Sequence, residues 1–473
     1  MKVNPIDKIC HECVGEKFLS NEIENIGKRG KCRYCGFVTR TYTIDKLTSR
    51  IETVILDHYE RTPSELSDWE YYRHHVAQDG YHWYREGQTI LEILSNEYNI
   101  TELAAQQIAE SLESTHADMD ATLAGYETEF DSEARYEIKW ISDGTWANEW
   151  ASFERTLKTE ARFFNHKNAA FLESIFDEIE EKKTWSGKSV FTCIGPNTEI
   201  TAIYRARVFQ SQALLLEALC RPDRSLAAPS YLHSMNGRMN SRGISVFYGA
   251  MKPETALAEV RPPVGSKVAI GKFEILRPLQ VLDLRKLINL NDQISVFDPL
   301  YLVKKEKTEF LRKLGTKMTT PVMPDDELFE YLPTQVIADF LANRSKMTYD
   351  GIIYPSIQVE GEEINVVLFH KAAKTELIDL PEGAEIIARD EDYEEDGPYE
   401  SYWVAEMVPA KRKENKTKIE KDSDDSRVPS LRIDLESVTV NKIEAVSYNI
   451  SAFHVNRVRQ KKIASSPRKI TDL

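Results

Sequence analysis

Two stretches of this sequence carry residue types and spacings that could do chemistry. The first runs from Gly237 to Val260 and reads GRMNSRGISVFYGAMKPETALAEV. It sets Arg238 beside Asn240, passes a glycine break and a short strand-like run ending in Tyr248, and enters a helix that delivers Glu259. Pro253 suits the first turn of that helix because it has no donor to lose there, and Glu254 complements the helix dipole. Arginine, tyrosine and a helix-borne carboxylate together suggest a phosphate and ribose site. Upstream, Arg205 and Arg207 lie in a strand-like segment from Ile200 to Phe209. Two-residue alternation puts them on one face, where they could form an anion-binding surface.

The second stretch holds two CxxC pairs, Cys10 with Cys13 and Cys32 with Cys35, separated by 18 residues (14 to 31). This is the spacing of a four-thiolate zinc site, with Gly36 placed where a knuckle needs an unusual backbone angle. A closed shell of four sulfurs leaves no position for water, so the metal is expected to hold the fold and not to catalyse. His11 reads as a neighbour of the ligands. Lys28, Arg29, Lys31 and Arg33 make the knuckle basic, which permits a nucleic-acid contact without demanding one.

These residues must be positioned by more than one core. At 473 residues the chain exceeds what a single core usually supports, which predicts two or three domains. A net charge of −15 and a pI near 5.3 argue against a broad grip on nucleic acid and leave only the zinc knuckle for such a contact. No apolar run approaches the roughly 18 residues of a spanning helix, and the N-terminus MKVNPIDKIC lacks the charged-then-apolar order of a signal peptide. The expectation is a cytoplasmic protein without membrane contact. The remaining cysteines, Cys193 and Cys220, read as buried free thiols.

From Ile44 the sequence turns to helix-length segments: IDKLTSRIETVILDHYE, TILEILSNEY and TELAAQQIAESLES, the last with Thr101 as a candidate N-cap. A further helix near Asn168 to Lys182 carries one apolar stripe. Arg and His recur at Tyr72-Arg73-His74-His75 and at Arg162 to His166. Helical nucleases of the HEPN class pair an Arg with a His, but Arg162 and His166 lie closer together than that pattern wants. The zinc knuckle followed by this helical block is similar to the N-terminal region named HEPN/RES.

After Trp185 the pattern changes to strands and turns. YDGIIYPSIQ, from Tyr349 to Gln358, reads as a buried strand ending at Pro355-Ser356, and a second apolar strand follows from Ile364 to Phe369, with Asn365 at its entry. Tyr204-Arg205, Gly237-Arg238-Met239-Asn240, Tyr248, Ala256-Leu257-Ala258-Glu259, Tyr354-Pro355-Ser356 and Asn365-Val366-Val367-Leu368-Phe369 resemble, in order, the motifs of the RES family. The resemblance implies an α+β domain like that of ADP-ribosylating toxins, cleaving the nicotinamide–ribose bond of NAD⁺ with water or phosphate as acceptor. It also implies a toxin or defence effector that an antitoxin or other inhibitory protein holds in check.

On that resemblance NAD⁺ is the substrate. Glu259, Arg205 and Ser356 are the expected catalytic residues, and Arg238, Tyr248, Asn240 and Arg207 the expected binding residues. Nicotinamide leaves as a neutral ring, so a carboxylate that stabilises the developing sugar cation should suffice. Arginines would take the pyrophosphate, Tyr248 would offer its ring to nicotinamide and its hydroxyl to ribose, and Ser356 would bind the amide or ribose. A serine nucleophile is disfavoured, because no His in a nearby motif could take its proton. Two rivals stay open: a nucleotide-binding regulatory module without turnover, and an ADP-ribosyltransferase acting on a macromolecule.

The expected architecture is multidomain: a zinc knuckle at 1–45, a helical domain at 46–188, a RES domain at 189–460 and a basic tail at 461–473. Within the RES domain, a charge-rich insertion near 386–427 reads as a solvated loop or disordered insertion, with the fold resuming at Leu431.

Overall fold

A computed structural model describes residues 6–75, 82–344, 349–359, 361–394, 397–409 and 425–459. The expected basic tail at 461–473 lies outside the described residues, as do most of the charged run from Lys411 to Asp425 and the side chains of His74 and His75. Among the described residues no helix is long and apolar enough to cross a membrane.

The C-terminal half is organised by a sheet of eight strands: β1 (Phe191–Ile194), β2 (Ala202–Phe209), β3 (Phe247–Ala250), β4 (Lys267–Ile275), β5 (Leu279–Asp283), β6 (Gly351–Pro355), β7 (Ile364–Leu368) and β8 (Leu431–Lys442). Their spatial order is β8-β4-β2-β3-β7-β6-β5-β1. All neighbours are antiparallel except β5 and β6. The central strands β6 and β7 are near-continuous apolar runs because both faces of the sheet are covered. On one face Ile203, Phe247, Phe273, Ile353 and Val366 join a core. On the other, Leu282, Ile352 and Val367 meet helices Gly144–Thr159, His166–Phe176, Tyr301–Thr319 and Leu332–Asn343. The helical stretch expected at 46–188 therefore feeds two cores, because its last two helices pack against this sheet.

Several expectations need amending. The charge-rich segment read as a loop near 386–427 contains a hairpin, Glu385–Glu394 with Gly397–Met407. Burial alternates along its first strand, with Ile386, Ala388 and Asp390 half-buried and Glu385, Ile387 and Arg389 exposed, and the hairpin is anchored by Gln212 to Asp390 at 2.5 Å and Lys267 to Glu400 at 2.6 Å. Cys193 is exposed and Cys220 half-buried, since the first lies on β1, an edge strand. Thr101 precedes helix Glu102–Thr115 but makes no side-chain cap. Arg162 and His166, which the sequence did not favour as a nuclease pair, are both exposed and flank a helix start capped by Asn165, whose side chain accepts from the Asn168 amide at 3.1 Å.

In the front half, helix Ile44–His58 starts where the Thr43 hydroxyl accepts from the Lys46 amide at 3.3 Å, and it buries Ile44, Leu47, Ile51, Val54 and Ile55 at three- and four-residue steps. A small sheet that the sequence did not signal, Tyr59–Arg61, Arg135–Ile138 and Gln88–Thr89, closes this core. The core also takes in Val296, Phe297 and Tyr301 from the C-terminal half. Arg50 reinforces that junction by donating to the Phe297 carbonyl at 2.6 Å.

The first 45 residues contain a three-stranded sheet in the order Lys8–Cys10, Val38–Thr43, Lys28–Lys31. The module gathers Cys10, Cys13, Cys32 and Cys35 so that their sulfurs lie within 4.8 Å of one another. Cys10 and Cys35 approach to 3.5 Å, and Cys13 and Cys32 to 3.8 Å. Four thiolates around zinc sit about 3.8 Å apart for Zn–S bonds of about 2.3 Å, so the cluster could hold one metal ion and suits structural zinc. Gly36 takes the left-handed backbone, φ 79°, that the knuckle requires.

Burial pushes the Cys10 thiol up to about 11 and Cys13 higher still. At Cys32 burial is outweighed by backbone hydrogen bonds from Cys35 and Tyr34, which bring it down to about 7. Cys10 and Cys13 thus resist ionising by themselves, and a dication supplies the missing charge. Metal analysis of the purified chain should return about one zinc per chain. Cys13→Ser with Cys32→Ser should lose it and destabilise the front half by several kcal/mol or more, on the order expected for structural zinc. An unchanged melting curve after metal removal would contradict a structural role.

Candidate functional site

Helix Pro253–Glu259 is seven residues long and held at both ends. At its start, Lys252 pairs with Glu363 at 2.6 Å and the Thr255 hydroxyl donates to the same carboxylate at 3.1 Å. Ala256, Leu257 and Val260 pack on Tyr204, Ala206 and Ala250 of the sheet. Glu259 is thereby held over β7 and the end of β6. One of its carboxylate oxygens, Oε1, accepts from the Ser356 hydroxyl at 2.6 Å and from the Asn365 side-chain amide at 2.7 Å.

This cluster is half-buried to buried: Ser356 is 7% exposed and Asn365 2%. Glu259 pairs with no cation among the described residues, and its other oxygen, Oε2, accepts no hydrogen bond from them. Two neutral donors therefore fix the carboxylate while one oxygen stays available. Charge-assisted bonds of this kind contribute roughly 1.5–3 kcal/mol each.

Asn365 was not among the expected site residues, since in sequence it reads only as a strand entry. A signal was present: an amide in the apolar strand Ile364–Leu368 needs a buried polar partner. Register explains its place. Tyr204 pairs with Ala250, Ala250 with Asn365, and Asn365 with Tyr354, which makes a row across β2, β3, β7 and β6 on one face. The Asn365 side-chain oxygen is buried and has no partner among the described residues. Tyr354, half-buried beside Glu259, has its phenol pushed well above the usual range by burial and by the Tyr248 and Glu259 side chains.

Arg205 stands one residue along from this row and alternates toward the opposite face, with Ile203 and Phe209. Strands β2 and β3 touch at a single pair, Tyr204 with Ala250, and part beside Arg205. Its guanidinium lies 4.9 Å from the centre of the Phe247 ring and donates weakly to the Tyr248 carbonyl at 3.4 Å. Burial, with Arg207 nearby, lowers it to about 10, while the Tyr248 phenol acts in the other sense. It therefore stays cationic at neutral pH. A desolvated cation with one weak carbonyl contact and no carboxylate partner among the described residues is suited to receive an anion. Arg205 and Glu259 share no hydrogen bond or ion pair. Arg207 is exposed and donates to the Ser225 carbonyl at 2.7 Å.

Arg238, Asn240 and Tyr248 form a second knot. The Tyr248 hydroxyl donates to the Asn240 side-chain oxygen at 2.9 Å and accepts from the Met239 amide at 2.9 Å. The Asn240 amide group donates to the Met235 and Ile244 carbonyls at 2.9 and 3.0 Å. Both polar groups are thus committed to shaping the loop, which leaves the Tyr248 ring as the surface that could meet a ligand. Gly237 permits the knot, since a Cβ there would lie 2.6 Å from the Asn240 side-chain oxygen and 2.8 Å from the Tyr248 hydroxyl. Arg238 donates to the Thr320 and Met318 carbonyls at 2.8 and 3.2 Å and stacks over Tyr331. An anion would have to share it with a helix C-terminus.

Residues 216–392 match the family model of the RES domain. The C-terminal half therefore carries a RES domain, as the motifs led one to expect. The match contains Glu259, Ser356, Asn365 and the Arg238–Tyr248 loop, while Arg205 lies upstream of it and the front half outside it. No curated protein matches the chain.

The geometry makes Asn365 testable by charge. Asn365→Asp would set a second carboxyl against Glu259 and should destabilise the chain by about 1–3 kcal/mol at pH 7. Repulsion raises the folded-state pKa of the new carboxyl above its unfolded value. Stability should therefore return as pH falls through the carboxylate range. Denaturant melts at neutral and mildly acidic pH would read this, with Asn365→Ala as the control that shows no such recovery.

Proposed function

We propose that the RES domain cleaves the nicotinamide–ribose bond of NAD⁺ at Glu259, passing the ADP-ribosyl group to water or phosphate. The observation that carries the reading is the Glu259 carboxylate, held by Ser356 and Asn365 with one oxygen unpartnered among the described residues, inside a RES domain. Nicotinamide already bears positive charge and departs without protonation, so the positive charge shifts to the sugar as the bond breaks. A carboxylate already oriented stabilises that charge without reorganising at the moment of reaction. Its free oxygen can also accept a ribose hydroxyl or the proton of the incoming acceptor.

Arg205 would take the pyrophosphate through the gap between β2 and β3, where a planar guanidinium can make two parallel bonds. The rings of Tyr248 and Tyr354 lie on the Glu259 side of the sheet and could pack against nicotinamide. Ser356 then acts first as an orienter of Glu259. The reading extends to a toxin or defence effector of ADP-ribosyltransferase-like fold that works in the cytoplasm and is restrained by its front half or by an inhibitory protein. The rival reading, a nucleotide-binding module without turnover, draws on the internal use of Arg238 and Asn240, which leaves fewer groups for a substrate.

Purified protein should release nicotinamide from NAD⁺, and Glu259→Gln should lower the rate by at least about 10²-fold while the chain still folds cooperatively, with a modestly lower melting temperature. Arg205→Ala should lower kcat/KM by about 10–100-fold. Protection of the fold by NAD⁺ that is recovered intact would favour the rival. Full activity in both variants would overturn the assignment.

A further inference from the structure

The RES-domain site leaves the metal-cluster module without a task. This module also carries a charge pattern that departs from the acidic average of the chain. The chain has a net charge of −15, yet residues 26–44 contain five Lys or Arg and no Asp or Glu. The structure spreads these cations over an open surface. Lys28, Arg29, Lys31, Arg33 and Arg40 are all exposed.

Strand Lys28–Lys31 is the edge of the module's sheet, with Arg29 opposite Arg40 and Lys31 opposite Val38. Side chains that face each other across antiparallel strands share a face, and so do residues two apart. Arg29, Lys31, Val38 and Arg40 therefore stand together. Two arginines placed directly opposite repel each other. Arg40 is held by the Gly27 carbonyl at 2.9 Å, and Arg33 reaches Asp7 at 3.8 Å. The side chains of Lys28, Arg29 and Lys31 make no hydrogen bond or ion pair with any described residue. A like-charge pair left unneutralised on a small sheet calls for an anionic partner.

Beside these cations Phe37 is 65% exposed and Val38 58%. The Phe37 carbonyl accepts from the Cys32 amide at 2.8 Å, so the ring is carried by the backbone of the cysteine cluster. We propose that this face binds single-stranded nucleic acid, with Arg29 and Lys31 on phosphates and a base stacked on Phe37. An exposed aromatic amid cations is how sequence-tolerant strands are gripped, since every base has a ring face. A duplex fits less well. Helix Lys17–Ile26, which leads into the edge strand, exposes Glu24 and would set like charge against a second strand.

The full chain, with its metal as purified, would be titrated into labelled oligonucleotides of about 20 nucleotides, one DNA and one RNA, with anisotropy read at several salt concentrations. Binding should weaken with salt. The double variant Arg29→Glu with Lys31→Glu should lose at least about tenfold in affinity and flatten the salt slope by about 1.4, the share of two phosphates on a single strand. Phe37→Ala should cost about fivefold or more without changing that slope. All three positions are exposed, so melting temperatures should not move. The proposal is overturned if neither oligonucleotide binds at about 50 mM salt, if the variants bind as the parent does, or if polyglutamate displaces the strand as well as unlabelled oligonucleotide does.

Discussion

A single carboxylate oxygen, bound by one donor on β7 and one just past the end of β6, is the constraint on which the rest of the site depends. Ser356 and Asn365 reach Glu259 only because β6 and β7 pair in the register that sets Tyr354 against Asn365. Glu259 meets them only because its helix is pinned at its start by Glu363, just ahead of β7. Three elements thus converge on one oxygen. A carboxylate held by neutral donors has no counter-cation of its own, and such a group can answer a positive charge that appears transiently. Had an arginine closed the pair, that capacity would be largely cancelled.

Helix Tyr301–Thr319 gives the front half a physical connection to this region. Its first residue sits in the core built around helix Ile44–His58. Its last turn and the residue after it present the carbonyls that hold Arg238. Nineteen residues of helix span about 28 Å, so one element touches both the metal-bearing half and the loop that carries Tyr248. An event that shifts the front half relative to Tyr301 therefore has a mechanical route to Arg238.

Much of this was legible in the sequence, for identifiable reasons. The CxxC pairs and Gly36 announce a metal knuckle because ligand spacing and a left-handed turn are local properties. Pro253 marks a helix start, and the runs at Gly351–Pro355 and Ile364–Leu368 mark buried strands, because propensity and burial act within a few residues. The order of motifs pointed to the RES domain. What stayed hidden depends on pairing between distant segments. Asn365 became a partner of Glu259 only through register. Arg205 and Tyr204 are neighbours in sequence, yet they alternate to opposite faces of the sheet. The roles expected for Arg238, Asn240 and the Tyr248 hydroxyl assumed free side chains, whereas the fold uses their polar groups internally. The acidic hairpin at Glu385–Met407 was hidden because charge suggested solvent, and an exposed hairpin satisfies both.

On the proposed mechanism Glu259 acts on the charge that develops as the bond to nicotinamide breaks, and not mainly on the resting substrate. The most direct measurement is the affinity of a non-cleavable carbocyclic analogue of NAD⁺ for the parent chain and for Glu259→Gln, set beside their rates of NAD⁺ cleavage. Affinities should stay within about tenfold of each other while cleavage falls by at least about 10²-fold. Affinity and cleavage lost in equal measure, or cleavage retained by the variant, would contradict that role.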